Sequence, residues 1–303
     1  MPNRCLIIFL CFLFLPALSF ANFQSNDAIA QQLISLNNEN SLQQRIEVQS
    51  GALLNTSYLA GALGEGVSGE YDQNPLYRFE YFDCETYVDT VIALALAKNL
   101  LDFKNKMNRI RYKQAEVNFI QRNHFPSADW IPNNIKNGYI HELTYFIAGQ
   151  KTRVTSVLIN RHNWYQNLNI DRIQISHLSP QEKEIRLVQL KKEGEWLQAN
   201  KVVSIAYIPV LELLRNSELS QKIPSGSLIF FVGHDSYLTS RIGTHMNVLH
   251  MSFAIRNNGQ LYFRMASSKA GRVLDVRFQD YLKTYLPLGT LDGISVWAIR
   301  DQD

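Results

Sequence analysis

The rhythm of apolar and polar positions changes several times along the chain. Leu6 to Leu18 is an unbroken apolar run behind Arg4 and the N-terminal amine, and it closes on Ser19-Phe20-Ala21. A positive start, a short apolar stretch and a small-x-small site are the layout of a secretory signal peptide, so residues 1–21 are expected to leave the mature chain. The run falls short of the ~20 residues a membrane span needs, and Cys11 lacks the small preceding residue of a lipid-anchored cysteine. Residues 24–50 space apolar residues among Gln, Asn and Ser and predict one or two surface helices. Tyr58 to Gly69 carries Gly61, Gly64, Gly66 and Gly69 and reads as a loop. Residues 84–99 predict a helix: Asp83 is a good N-cap, and Val88 to Ala97 is apolar almost all round, the mark of a central, buried helix. Residues 102–122 are mixed, basic and predicted helical. Residues 123–138, with two prolines, are turn chemistry. Residues 181–200 are charge-rich and predict a solvated helix or a peripheral insertion. From Ser227 the period becomes two, predicting strands at 227–232, 247–256, 260–266, 272–278 and 293–299. A helical front half and a strand-rich back half predict an α+β fold. We read residues 22–303 as a single domain, with 141–222 as an insertion.

Composition narrows the picture. No repeat or low-complexity tract is visible, and a hydrophobic fraction of 46% excludes global disorder. The full chain carries a net charge of +3. Loss of Arg4 with the leader leaves a nearly balanced chain, which gives no case for a nucleic-acid partner. No other apolar run is long enough for stable membrane insertion. Of the three cysteines, Cys5 and Cys11 leave with the leader, so Cys84 stands alone. A solitary thiol in an exported chain is either an inert buried side chain or a reactive group.

Two segments favour chemistry at that thiol. Behind Asp83, Cys84 falls at the first helical position, where unpaired N–H groups and the helix dipole are expected to lower its pKa and to offer an oxyanion site. His250 lies in an alternating strand. Leu249, Met251, Phe253 and Ile255 form its bulky face, and Val248, His250, Ser252 and Ala254 its smaller one. The smaller face is expected to let a helix approach the histidine; the bland alternative is a solvent-facing histidine on an amphipathic strand. Asn258-Gly259 reads as a two-residue hairpin turn. That register pairs Asn257 with Gln260 and sets Met265 and Ser267 on the histidine's face. The other histidines show no HExxH or other metal spacing, and there is no G-x-S-x-G elbow or Walker loop. No metal or cofactor is called for.

PLYRFEYFDCETYVDTVIALA resembles the nucleophile segment of bacterial N-acetylmuramoyl-L-alanine amidase-like proteins, in the NlpC-type, papain-like cysteine hydrolase superfamily. LHMSFAIRNNGQLYFRMASS is similar to that family's histidine strand and the strand after it. NTSYLAGALGEG resembles its glycine-rich substrate loop, and FIQRNHFPSADWIPNN a further motif. Residues 141–222 resemble nothing we can name. The resemblance implies a papain-like fold, with a Cys-bearing helix on an antiparallel sheet. It implies a periplasmic hydrolase of peptidoglycan or its muropeptides that cuts between the lactyl group of muramic acid and L-alanine. Cys84 would be the nucleophile and His250 the general base. Tyr58, Asp83, Asn123, His124, Trp130 and Ser267 are the candidate substrate-binding residues. The chain departs from the family at Met265, where a polar residue, usually histidine, is expected to orient the imidazole. Ser267 or a water substitutes, or the enzyme runs as a dyad, or catalysis is weakened. A stem-peptide endopeptidase and a catalytically weakened peptidoglycan-binding protein are the rival readings.

Overall fold

The computed structural model describes residues 25–38, 40–196 and 200–301; the expected leader, residues 1–21, lies outside the described residues. Ten strands form one mixed sheet. They are β1 (Ser57–Tyr58), β2 (Tyr81–Phe82), β3 (Ile140–Glu142), β4 (Arg153–Asn160), β5 (Asn200–Pro209), β6 (Ser227–Gly233), β7 (Val248–Asn257), β8 (Gln260–Ser267), β9 (Arg272–Arg277) and β10 (Leu291–Ile299). Their order is β2-β1-β9-β8-β7-β6-β10-β5-β4, with β3 on β10. Only the β1–β2 pair is parallel. The fold is α+β, and the five strands predicted after Ser227 form within two residues of their expected bounds.

The front half supplies α1 (Asn26–Ile34), α2 (Leu42–Ala52), α3 (Cys84–Leu96) and α4 (Leu100–Arg111). Every residue of α3 from Thr86 to Leu96 is buried. One face of α3 meets the sheet and the others meet α1, α2 and α4. An aliphatic side chain so enclosed contributes about 1.5–3 kcal/mol. Asn37, buried behind α1, donates to the Leu94 and Ala97 carbonyls at 2.8 and 3.3 Å, and so satisfies the end of α3. A second apolar layer lies on the other side of the sheet, where Phe278 and Leu282 of the helix Phe278–Tyr285 pack with Phe231, Phe263 and Met265.

Two expectations are corrected. Residues 123–138 are not only turn: Pro126 opens a π-helical turn to Trp130, and Pro132 sits in the first turn of the helix Ile131–Lys136, positions where a proline's missing N–H costs nothing. The stretch 102–122 is helical only to Arg111, beyond which only a short 3-10 turn, Lys113–Ala115, forms. Within residues 141–222, β4 and β5 pair along their length and extend the main sheet through β10. The helix Pro180–Glu195 packs there, burying Leu187 and Leu190 beside Trp164 and Tyr165.

Candidate active site

Asp83 caps α3 as a capping box. Its Oδ1 accepts the Thr86 N–H at 2.8 Å, while Thr86 Oγ1 accepts the Asp83 N–H at 2.9 Å. The other oxygen, Oδ2, accepts the Gly61 N–H at 3.1 Å. One carboxylate thus starts the helix and ties the glycine-rich loop to it. Tyr58 enters from the same side, since β1 runs parallel to β2 and pairs Tyr58 with Phe82. Burial, then the charges of Cys84 and Asp83, push its phenol up to about 12, so it stays a hydrogen-bond donor.

The hairpin forms as the register predicts. Asn257 pairs with Gln260, and Asn258 and Gly259 both take positive φ, 48° and 76°, as a type I′ turn requires. The β7–β8 pairing then stops at Phe253↔Arg264, although β7 begins at Val248 and β8 continues to Ser267. Continuing the register would set Met251 opposite Ala266. Instead the Met251 N–H donates to the Cys84 sulfur, as does the Glu85 N–H. The thiol therefore sits at the fork between the two strands, beside the backbone that carries His250.

The strand itself differs from strict alternation. Phe231 pairs with His250 but Val232 with Val248, so Leu249 is an extra, bulged residue. Val248 thereby joins Met251, Phe253 and Ile255 on the α3 side, where Tyr87 meets Phe253 edge-on at 6.0 Å. The expectation that α3 approaches the smaller face is corrected. The helix packs on the bulky face, and His250 lies on the opposite one, its ring 5.3 Å from Phe231. Phe231 in turn stands 5.2 Å from Tyr281, whose phenol also feels the charge of Cys84.

His250 Nε2 lies 3.1 Å from Met265 Sδ. A thioether only accepts, so Nε2 carries the proton and Nδ1 keeps the lone pair. The ring retains some accessible surface, but desolvation brings its pKa down to about 4. The thiol moves the other way from the sequence expectation. Desolvation first, then Asp83 and Glu85, push Cys84 well above its usual value, and the two N–H donors only partly offset them. Both partners are neutral at rest. Below them, burial pushes Asp89 up to about 7 despite Arg111; it accepts the Trp130 indole N–H at 2.8 Å.

The structure sets His250 against Met265, joins Asp83 at the head of α3 to the loop that follows Tyr58, and ties Cys84 to Met251, the neighbour of His250 in β7. Ser267 ends β8, and its Oγ accepts the Ala270 N–H at 3.2 Å, serving a turn and not the imidazole. Asn123, His124 and Trp130 lie deeper. Asn123 is fully buried and donates to the Ile110 carbonyl at 2.9 Å. His124 bonds the Phe119 carbonyl at 2.7 Å between the Phe119 and Trp164 rings, with its pKa held low by desolvation and Arg122. Trp130 is fully buried against Phe230. Tyr281 and Phe231 are site neighbours that no local sequence signal announces; they meet His250 only through tertiary packing. Among the described residues, no group of three or more His, Cys, Asp or Glu is placed to hold a metal ion, and no helix is long and apolar enough to cross a membrane.

The model of the AmiA-like family, described as N-acetylmuramoyl-L-alanine amidase-like, matches residues 48–289 and so runs through 141–222. A crystal structure of a Legionella pneumophila protein is similar over 90% of this chain and 94% of its own, at 36% identity and a TM-score of 0.86. An N-acetylmuramoyl-L-alanine amidase from Bacteroides uniformis is similar over 86% of this chain and 100% of its own, at 20% identity and a TM-score of 0.59, a likeness of fold alone. A Bacteroides fragilis protein provisionally called a xylanase shares that fold over 82% of this chain and 97% of its own, at 22% identity and a TM-score of 0.59. No curated protein matches the chain.

Proposed function

The chain belongs to the AmiA-like family of N-acetylmuramoyl-L-alanine amidase-like proteins, and from that premise we propose that it is a cysteine-dependent amidase of the NlpC, papain-like type. Its bond is the amide between the lactyl group of N-acetylmuramic acid and L-alanine in peptidoglycan fragments. Residues 1–21 direct it to the periplasm, and 22–303 act as one amidase domain. The observation that carries this reading is the fork, with Cys84 at the head of α3, bonded to the Met251 N–H, one residue from a His250 whose Nε2 is tied to Met265.

The mechanism follows from the neutral resting pair. As the sulfur attacks the lactyl carbonyl carbon, its proton passes to His250 Nδ1 and an S–C bond forms. The charge developing on the carbonyl oxygen is met by the Cys84 N–H at the open end of α3 and by the Tyr58 hydroxyl. The C–N bond breaks, and the L-alanine nitrogen leaves with the proton from imidazolium. Water then cleaves the thioester with His250 again as base. Met265 Sδ serves as a weak orienting acceptor where the family carries a polar residue. Asn123, His124 and Trp130 support the site from behind instead of touching substrate.

Mass analysis of digested muropeptides tests the reading. We expect a released peptide beginning with L-alanine, and loss of that product in Cys84→Ser. Retention of the peptide's first residues on the sugar would make the protein a stem-peptide endopeptidase. If wild type and Cys84→Ser both bind muropeptide and neither cuts it, the protein is a binding protein and the enzyme reading fails.

A further inference from the structure

A cleft of about 490 Å³ opens at the glycine-rich loop, walled on one side by Leu59 to Ala62. That wall follows Tyr58 directly and is held to Asp83 by the Gly61 hydrogen bond. The charge of the cleft is unbalanced. Four arginines (78, 122, 172 and 241) and two aspartates (72 and 171) line it, an excess of two positive charges. Arg122 is committed to Glu65 and Asp72, and Arg78 donates to the Asn74 side-chain Oδ1 at 3.2 Å. Arg172 and Arg241 are different. Both are solvent-accessible, and among the described residues neither guanidinium group enters a salt bridge or a hydrogen bond. Arg241 rests against the Tyr237 ring at 5.7 Å. Desolvation by the cleft walls, then repulsion from Arg122, hold Arg172 below its usual pKa. Asp72 and Asp171 attract Arg172 but leave the cleft with more guanidinium groups than carboxylates, an excess that raises the local concentration of anions and presents the planar fork that carboxylates fit.

We propose that Arg172 and Arg241 form a carboxylate-binding subsite that takes the peptide half of the substrate. This rests on the amidase reading and adds the direction in which the substrate lies. In a muramoyl peptide the lactyl carboxyl is consumed in the scissile amide and the sugar is uncharged, so every carboxylate belongs to the stem peptide. The peptide therefore runs from Cys84 along Leu59–Ala62 toward the two arginines, and the sugar leaves the thiol on the other side. Arg172 lies within residues 141–222 and Arg241 beyond them in the helix Ser236–Ile242, so two separate segments select substrate through charge.

The test uses the intact Cys84→Ser protein, which binds without turning over. It is titrated calorimetrically with a muramoyl peptide bearing free carboxylates and with the same peptide converted to carboxamides. Each lost charge-assisted pair weakens binding by about tenfold or more. We expect the carboxamide to bind at least tenfold more weakly, with the difference shrinking as salt rises. Adding Arg172→Gln and Arg241→Gln should erase that preference while leaving carboxamide binding and the thermal midpoint unchanged. Equal affinity for the two peptides, or an intact preference in the arginine variant, overturns the proposal. Hydrolysis by wild type is read separately: preference without hydrolysis would sink the amidase reading and leave the subsite standing.

Discussion

At His250 the imidazole has a thioether where an amide or a second imidazole would be the stronger partner. Sulfur accepts weakly, so its removal should cost less than loss of a carboxylate orienter. We expect Met265→Leu, which keeps the volume, to lower kcat on the order of tenfold, against ~10⁴ where an orienting Asp is disturbed in a serine triad. Met265→Gln should restore or exceed wild-type turnover; KM should move little in either variant. The pH profile separates this from simple repacking. With His250 neutral down to about 4, the acid limb of wild-type kcat/KM falls near pH 4, and a limb near 6.5 would contradict the buried-base account. The same shift acts on stability. Between about 6.5 and 4 the unfolded chain takes up a proton that the native imidazole refuses, so stability drops as pH falls through that window and is unaffected above it.

Among the elements, local signals and tertiary arrangement part company. The Asp83 cap, the buried run of α3 and the Asn-Gly hairpin were legible because each is set by residues a few positions apart. The Leu249 bulge was not, because it arises where β7 must match β6 on one side and open around Cys84 on the other. That single extra residue moved Val248 to the face that Met251, Phe253 and Ile255 present to α3. The thiol's pKa was misjudged for a related reason: a helix N-terminus is visible in sequence, but the desolvation and the two carboxylates that outweigh it are not. β4 and β5 carry β-branched residues at strand spacing, yet their place in the sheet depends on β10. At that junction Gly293 is packed so closely that a Cβ would stand 2.1 Å from the Ile208 carbonyl oxygen. Backbone cannot yield as a side-chain tip can. Gly293→Ala should therefore destabilise by about 1–3 kcal/mol, the usual range for overpacking, measured as a lower urea midpoint at unchanged m-value. An unchanged midpoint would show that β5 and β10 are not so tightly joined.

For the whole molecule, one sheet links the chemistry to the region 141–222. β10 pairs with β3, β5 and β6, and β6 carries β7. We expect thermal unfolding to be a single transition, with far-UV circular dichroism coinciding with the fluorescence of a variant that retains Trp164 as its only tryptophan. Two separated midpoints would make 141–222 an independent unit. The fork between β7 and β8 has a further consequence for how the protein can be watched. The Met251 amide is protected by a sulfur acceptor, a weaker lock than the carbonyl that a continued ladder would supply. Its hydrogen-exchange rate becomes a native reporter of the thiol. Acylation or alkylation of Cys84 should alter exchange at this one amide while Phe253 and Ile255, held by the intact ladder, keep their protection. Occupancy of the site is then readable from the backbone without a chromogenic substrate.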